Sequence, residues 1–121
     1  MALDENRTEP AYLCGRLFAK VEIVQKKALG KKINATIKDR YFSTASTNPR
    51  VVFPQLIRLS QNHLKKIKTE NPGWVVNAEK RIQSIMSGLN QFPAFLNIEE
   101  QGLFAIGYYQ QSQSFYNKEE E

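Results

Sequence analysis

The chain is 121 residues long, with a net charge of +5 and a single cysteine, a length that fits one domain with one modest core. Hydrophobic residues at 41% and charged residues at 24% exclude wholesale disorder, and no apolar run reaches the roughly 18 to 20 residues that cross a bilayer. Cys14 alone excludes an internal disulfide, and the polar, acidic opening MALDENRTEP is unlike a secretory signal, so a cytoplasmic protein without a membrane partner is expected.

The charge is unevenly spread. From Lys20 to Arg81 fourteen Lys and Arg face four Asp and Glu, a net +10, while the flanking residues carry a net −5. A basic centre between acidic ends suits a polyanionic partner, nucleic acid above all. It fits a solvated, lysine-rich surface equally well.

In chain order, the first periodic segment opens at Thr8 as N-cap, with Pro10 where its missing N–H costs nothing. Leu13, Leu17, Val21, Val24 and Ala28 form one apolar stripe that Gly30 ends. Cys14 lies beside the stripe as a small buried hydrophobe. Asn34 then caps a short helix, Ala35 to about Ser46, that turns Ile37, Tyr41 and Phe42 inward and leaves Lys38 and Arg40 on other sides; Lys31 and Lys32 fall in the turn before it.

Thr47-Asn48-Pro49 marks a boundary, and Pro54 places the start of the next regular helix near Phe53. Phe53, Leu56, Ile57, Ser60, Leu64 and Ile67 share one face. Arg58, Lys65 and Lys66 lie about 120° to 220° round the helix from Phe53, so that it is apolar inside and cationic outside. A fourth helix follows Asn71-Pro72-Gly73, with Val75, Ala78, Ile82, Ile85, Met86 and Leu89 at helical spacing and Trp74 as a packing anchor. Asn97 and Glu100 form a capping box for a fifth, Ile98 to about Phe115. Its Gly102 and Gly107 each cost about 1 kcal/mol against alanine, which a close neighbour within the domain or on a partner subunit would explain. The expected fold is all-α, a compact bundle of about five helices in a single domain over residues 1–121, with flexible ends at 1–7 and 117–121.

Catalytic equipment is missing. His63 is the only histidine and has no carboxylate or cysteine nearby in sequence, too little for a triad or a zinc site. Neither GxxxxGK[ST] nor GxGxxG occurs, so no nucleotide loop, cofactor or small-molecule substrate is expected, and the protein reads as a non-enzyme. Tyr41, Phe42, Tyr108 and Tyr109 offer either core packing or base stacking. Lysine-rich faces attract phosphates without reading base edges, which implies sequence-independent binding.

The segments RTEPAYLCGRLFA, ALGKKINATIKDRYFSTAST, VFPQLIRLSQNHL and NIEEQGLFAIGYYQQ, spanning Arg7 to about Gln111 in this order, resemble the C-terminal region of the large subunit of type I-C CRISPR Cascade. In that family the region is also made separately, by internal translation, as the small subunit, and a chain with its own Met1 directly before the region looks like that product. The resemblance implies a helical subunit present in several copies along the inner belly of the effector. Its partners would be the backbone subunits, the large subunit and further copies of itself, together with crRNA-guided target DNA and the displaced strand during R-loop formation. Candidate phosphate contacts are Lys31, Lys32, Lys38, Arg40, Arg50, Arg58, Lys65 and Lys66, and Gly102 and Gly107 are candidates for subunit packing. Two rival readings remain. A helix-turn-helix regulator would need a tight turn where Thr47 to Pro54 gives a long, proline-interrupted connection, and a helical adaptor would turn its basic face to acidic protein.

Overall fold

A computed structural model describes residues 3–30 and 36–120, with side chains through Phe115. The described residues form five helices: α1 (Pro10–Leu29), α2 (Ile37–Thr47), α3 (Pro49–Lys68), α4 (Pro72–Ser87) and α5 (Ile98–Glu120). The expected all-α bundle is therefore the observed one.

α1 is the axis of the bundle. Instead of one apolar stripe, it buries every residue from Ala11 to Gln25, because α5 runs along it while α2, α3 and α4 close the other sides. Phe18, fully buried at its centre, meets Phe42 of α2, Phe53 of α3 and Phe104 and Tyr108 of α5 edge-on, with ring centroids 5.5 to 6.5 Å apart. Edge-to-face packing places the positive ring edge against the negative face and adds to the burial of the rings. Cys14 is fully buried as expected, and desolvation pushes its thiol up to about 12.

Four polar residues of α1 are also buried: Arg16, Lys20, Glu22 and Gln25. Arg16, Glu22 and Gln25 find their partners on distant elements. Arg16 Nε donates to Gln111 Oε1 at 2.9 Å, and Tyr108 donates its hydroxyl proton to Glu22. Gln25 Oε1 accepts the Ile37 N–H at 3.0 Å, tying the first turn of α2 to the axis. Burial of a polar group is tolerable only when such a partner is present.

The helix ends follow their local chemistry, with corrections at the starts of α1, α2 and α3 and at the end of α5. α1 is capped by Glu9, not Thr8; Pro10 takes the first helical position, while Arg7 pairs with the Glu9 carboxylate. It ends at Gly30, whose φ of 58° suits a residue without Cβ. α2 starts at a capping box of Thr36 and Asp39, two residues later than the expected start; Asn34 lies outside the described residues. α3 starts at Pro49 and carries Pro54 inside it. The missing Pro54 N–H costs the Arg50 carbonyl one bond, but both residues are exposed, so water can take its place.

The segment between α4 and α5 is pinned to the α2–α3 junction. Leu96 N–H donates to the Thr47 carbonyl at 2.8 Å and Arg50 N–H to Pro93 at 3.0 Å, while Phe92 stacks on Phe53 with centroids 5.0 Å apart. The Asn97–Glu100 capping box is present in both directions, at 2.9 and 2.8 Å. The helix it starts continues to Glu120, past the expected end near Phe115, since no glycine or proline interrupts residues 116–120. Residues 4–9 are tied to α1: Tyr12 Oη accepts the Asp4 N–H at 3.1 Å, and the Arg7 guanidinium lies over the Tyr12 ring.

Candidate nucleic-acid interface

The cations singled out from the sequence fall into three environments. Lys31 and Lys32 lie outside the described residues. Lys38 and Arg50 are engaged within the chain. Lys38 is half-buried, with Nζ 3.3 Å from the Tyr109 hydroxyl and 5.4 and 5.1 Å from the Tyr108 and Tyr109 ring centroids, a cation–π arrangement joining α2 to α5. Arg50 is exposed, but its Nε donates to the Phe92 carbonyl at 3.0 Å and helps to hold the α4–α5 segment.

Arg40, Arg58, Lys65 and Lys66 are exposed, the last three on α3 as the helical period requires. Arg58 and Lys65 are seven residues apart and so share a face, two turns or about 10 Å from each other. Between them, at positions i+3 and i+4, stand Gln61 and Asn62, both exposed. The stripe thus alternates charge with amide donors, and Lys68 adds a further exposed cation in the last turn that the sequence reading passed over. Gln61, Asn62, Lys65 and Lys68 form one wall of an open groove of about 780 Å³ between α3 and α4, with Glu79 and Gln83 on the other. Such a surface offers point charges and hydrogen-bond donors to a polyanion.

The apolar side of α3 matches its pattern, with Phe53, Leu56, Ser60, Leu64 and Ile67 buried and Ile57 packed against the core. His63, on the flank of α3, is held below the ordinary histidine range by desolvation and then by Lys66. Its buried Nδ1 has no hydrogen-bond partner. Trp74 packs against the core, with Lys27 Nζ 5.5 Å from its ring centroid.

The two glycines of α5 have different surroundings. A Cβ on Gly107 would overlap the Tyr12 backbone carbonyl, whereas around Gly102 there is open space. Five residues apart on a helix means about 140° of rotation, so one faces α1 and the other faces away. The glycine opposite Gly107 is Gly15, where a Cβ would overlap the Phe104 carbonyl oxygen. Gly15 sits inside an apolar helical pattern, and that was the available signal for it.

The α2–α3 connection is not the long one expected. Asn48 alone joins the helices, as C-cap of one and N-cap of the other. A helix-turn-helix needs three to four residues there, so that rival lacks its turn for the opposite reason. Among the described residues no group of three or more His, Cys, Asp or Glu side chains is placed to hold a metal, and no helix is long and apolar enough to cross a membrane.

No curated protein matches the chain. Residues 1–116 match the model of the family Cas_Csd1, described as CRISPR-associated protein. That match covers nearly the whole bundle, from before α1 to the last turns of α5, and the chain therefore belongs to the Cas_Csd1 family of CRISPR-associated proteins.

Proposed function

We propose that the chain is a non-catalytic, nucleic-acid-binding subunit of a CRISPR surveillance complex, the small subunit of a type I-C Cascade. On this reading the guide supplies sequence specificity, and the bundle supplies weak, sequence-independent grip on target DNA or the displaced strand. Exchange of a DNA duplex for an RNA–DNA duplex is nearly balanced, so a few backbone contacts suffice to tip R-loop formation. The observation that carries the reading is the outer stripe of α3, where Arg58, Gln61, Asn62 and Lys65 stand exposed on one face of a helix whose other face is core. Family membership gives that stripe its context: neighbours in the complex would be the backbone subunits, the large subunit and further copies of this chain.

The test is a complex reconstituted with and without the chain, and with the Arg58→Glu/Lys65→Glu double variant. Omission is expected to reduce R-loop formation. The double variant is expected to weaken target binding and to flatten its salt dependence by about 0.9 per lost duplex phosphate contact. Unchanged affinity and slope in both would make the chain a protein-binding adaptor instead.

A further inference from the structure

A second recess, of about 470 Å³, opens between α1, α4 and the C-terminal half of α5, on the other side of α4 from the groove described above. Arg16 and Lys20, one turn apart on α1, line it although they are only 8% and 7% exposed, and Arg81 lines it from α4. None of these three belongs to the cationic stripe of α3.

A buried guanidinium calls for a counter-charge. Arg16 has instead the neutral amide oxygen of Gln111 on its Nε, and among the described residues neither Arg16 nor Arg81 has a carboxylate within ion-pair distance. The carboxylate lining the recess is the exposed Glu5, and Arg7, its remaining cation, is paired with Glu9. The charge of Arg16 therefore sits in a place of low dielectric, with the exposed Arg81 at its edge, and there an incoming anion interacts more strongly than at a water-exposed lysine.

We propose that this recess is a phosphate site, in which Arg16 and Arg81 hold one backbone phosphodiester of a nucleic acid while Lys20 and the Ser84 and Ser114 hydroxyls border it. Guanidinium groups match phosphate oxygens in a planar fork, which favours phosphate over a spherical anion. The position of the recess favours a polymer over a free ion. Ser87 borders both this recess and the α3–α4 groove that carries Lys65 and Lys68. Two cationic sites thus lie on either side of α4, separated by the width of one helix, about 10 Å. A strand crossing the end of α4 places phosphates in both. This site rests on the nucleic-acid reading given above and adds a second, built contact to it.

The test uses the full chain and two probes. Inorganic phosphate, titrated at constant ionic strength and followed by amide NMR shifts, is expected to saturate at Arg16, Lys20 and Ser84 to Gly88, and to lose that response in Arg81→Gln. Arg81 is exposed, so this variant keeps its fold where a change at Arg16 endangers it. With a twenty-nucleotide oligothymidine followed by fluorescence anisotropy, Arg81→Gln is expected to lower the salt slope by about 0.7 and to weaken binding about fivefold at 0.1 M salt, the effect of one phosphate contact. No saturable phosphate response at the recess, or oligonucleotide affinity and slope indifferent to Arg81→Gln, overturns the site. If Arg58→Glu/Lys65→Glu still weakens binding in that event, the broader reading stands without the recess; if neither variant matters, both fall.

Discussion

The α1–α5 seam and the α3–α4 pair are built from similar helices and hold together in opposite ways. In the first, Gly15 and Gly107 let each backbone come against the other's carbonyl, at Phe104 and Tyr12, and buried polar residues cross-link the helices at Arg16–Gln111, Tyr12–Gln110 and Glu22–Tyr108. In the second, Leu64, Ile67, Val75, Ile82 and Ile85 turn inward to the common core, and outside it lies an open groove with an apolar floor and Gln61, Asn62, Lys65 and Lys68 along one wall. The difference separates scaffold from surface. Where the glycines bring backbone against backbone the seam has no room for a ligand, and only beyond that crossing, at Arg16 and Gln111, does it border the basic recess, while a pair held at its inner edge can present its whole outer edge to one.

The largest effect that could break this comparison comes from a single methyl group. Gly15→Ala and Gly107→Ala each force a Cβ into a carbonyl that cannot move without moving its helix, and overpacking of that kind costs typically about 1–3 kcal/mol and occasionally more. The upper end, about 3 kcal/mol, is expected here in urea unfolding. Gly102→Ala, with open space around it, is expected instead to gain up to about 1 kcal/mol from helix propensity. Equal effects at Gly102 and Gly107 would show that the seam is not closed by backbone contact.

A smaller effect tests the polar side of the seam. Tyr108→Phe removes the hydroxyl that donates to Glu22 and leaves that carboxylate, 4% exposed, without its donor. The expected cost is about 1–3 kcal/mol, the penalty of a buried acceptor left unsatisfied. Burial, followed by Glu22, pushes the Tyr108 phenol well above its ordinary value, so the hydroxyl keeps its proton throughout the neutral range and the cost does not change there with pH. Glu22→Gln retains an acceptor oxygen without the charge and is expected to lose less. The reverse ranking would mean that the charge itself, and not the hydrogen bond, secures the seam.

These contrasts also mark what the sequence could disclose. α3 was legible in its faces because its partners are all on one side, which gives the 3.6-residue period a single apolar stripe. α4 and the Asn97–Glu100 box were legible because capping is local. α1 shows only one apolar stripe in the sequence, and the burial of Arg16 and Glu22 off that stripe depends on Gln111 and Tyr108, more than 80 residues away. The same long-range pairing hid the basic recess: Arg16 and Lys20 are ordinary helical i, i+4 neighbours in the sequence, and only the fold brings Arg81 to them. Pro54 misplaced the start of α3 for a different reason, because a rule about lost hydrogen bonds holds in the interior and relaxes where water reaches the freed carbonyl.

The smallest effects sharpen the comparison most, because they ask which cations the fold needs. Arg58 and Lys65 are exposed on the outer face of α3, and Arg58→Gln and Lys65→Gln are expected to change stability by no more than about 0.5 kcal/mol. Arg50→Gln removes the Nε–H that reaches the Phe92 carbonyl across 42 residues of sequence, and a loss of about 0.5–1.5 kcal/mol is expected in its unfolding transition. The three variants remove the same charge from the same helix, and the helix dipole alone predicts the smallest loss at Arg50, in the first turn, and the largest at Lys65, in the last, so a larger loss at Arg50 runs against electrostatics. A split between Arg50 and the other two would assign Arg50 to the structure and leave Arg58 and Lys65 available to a partner. Equal losses would mean instead that the α3 stripe contributes to the fold and is no free surface.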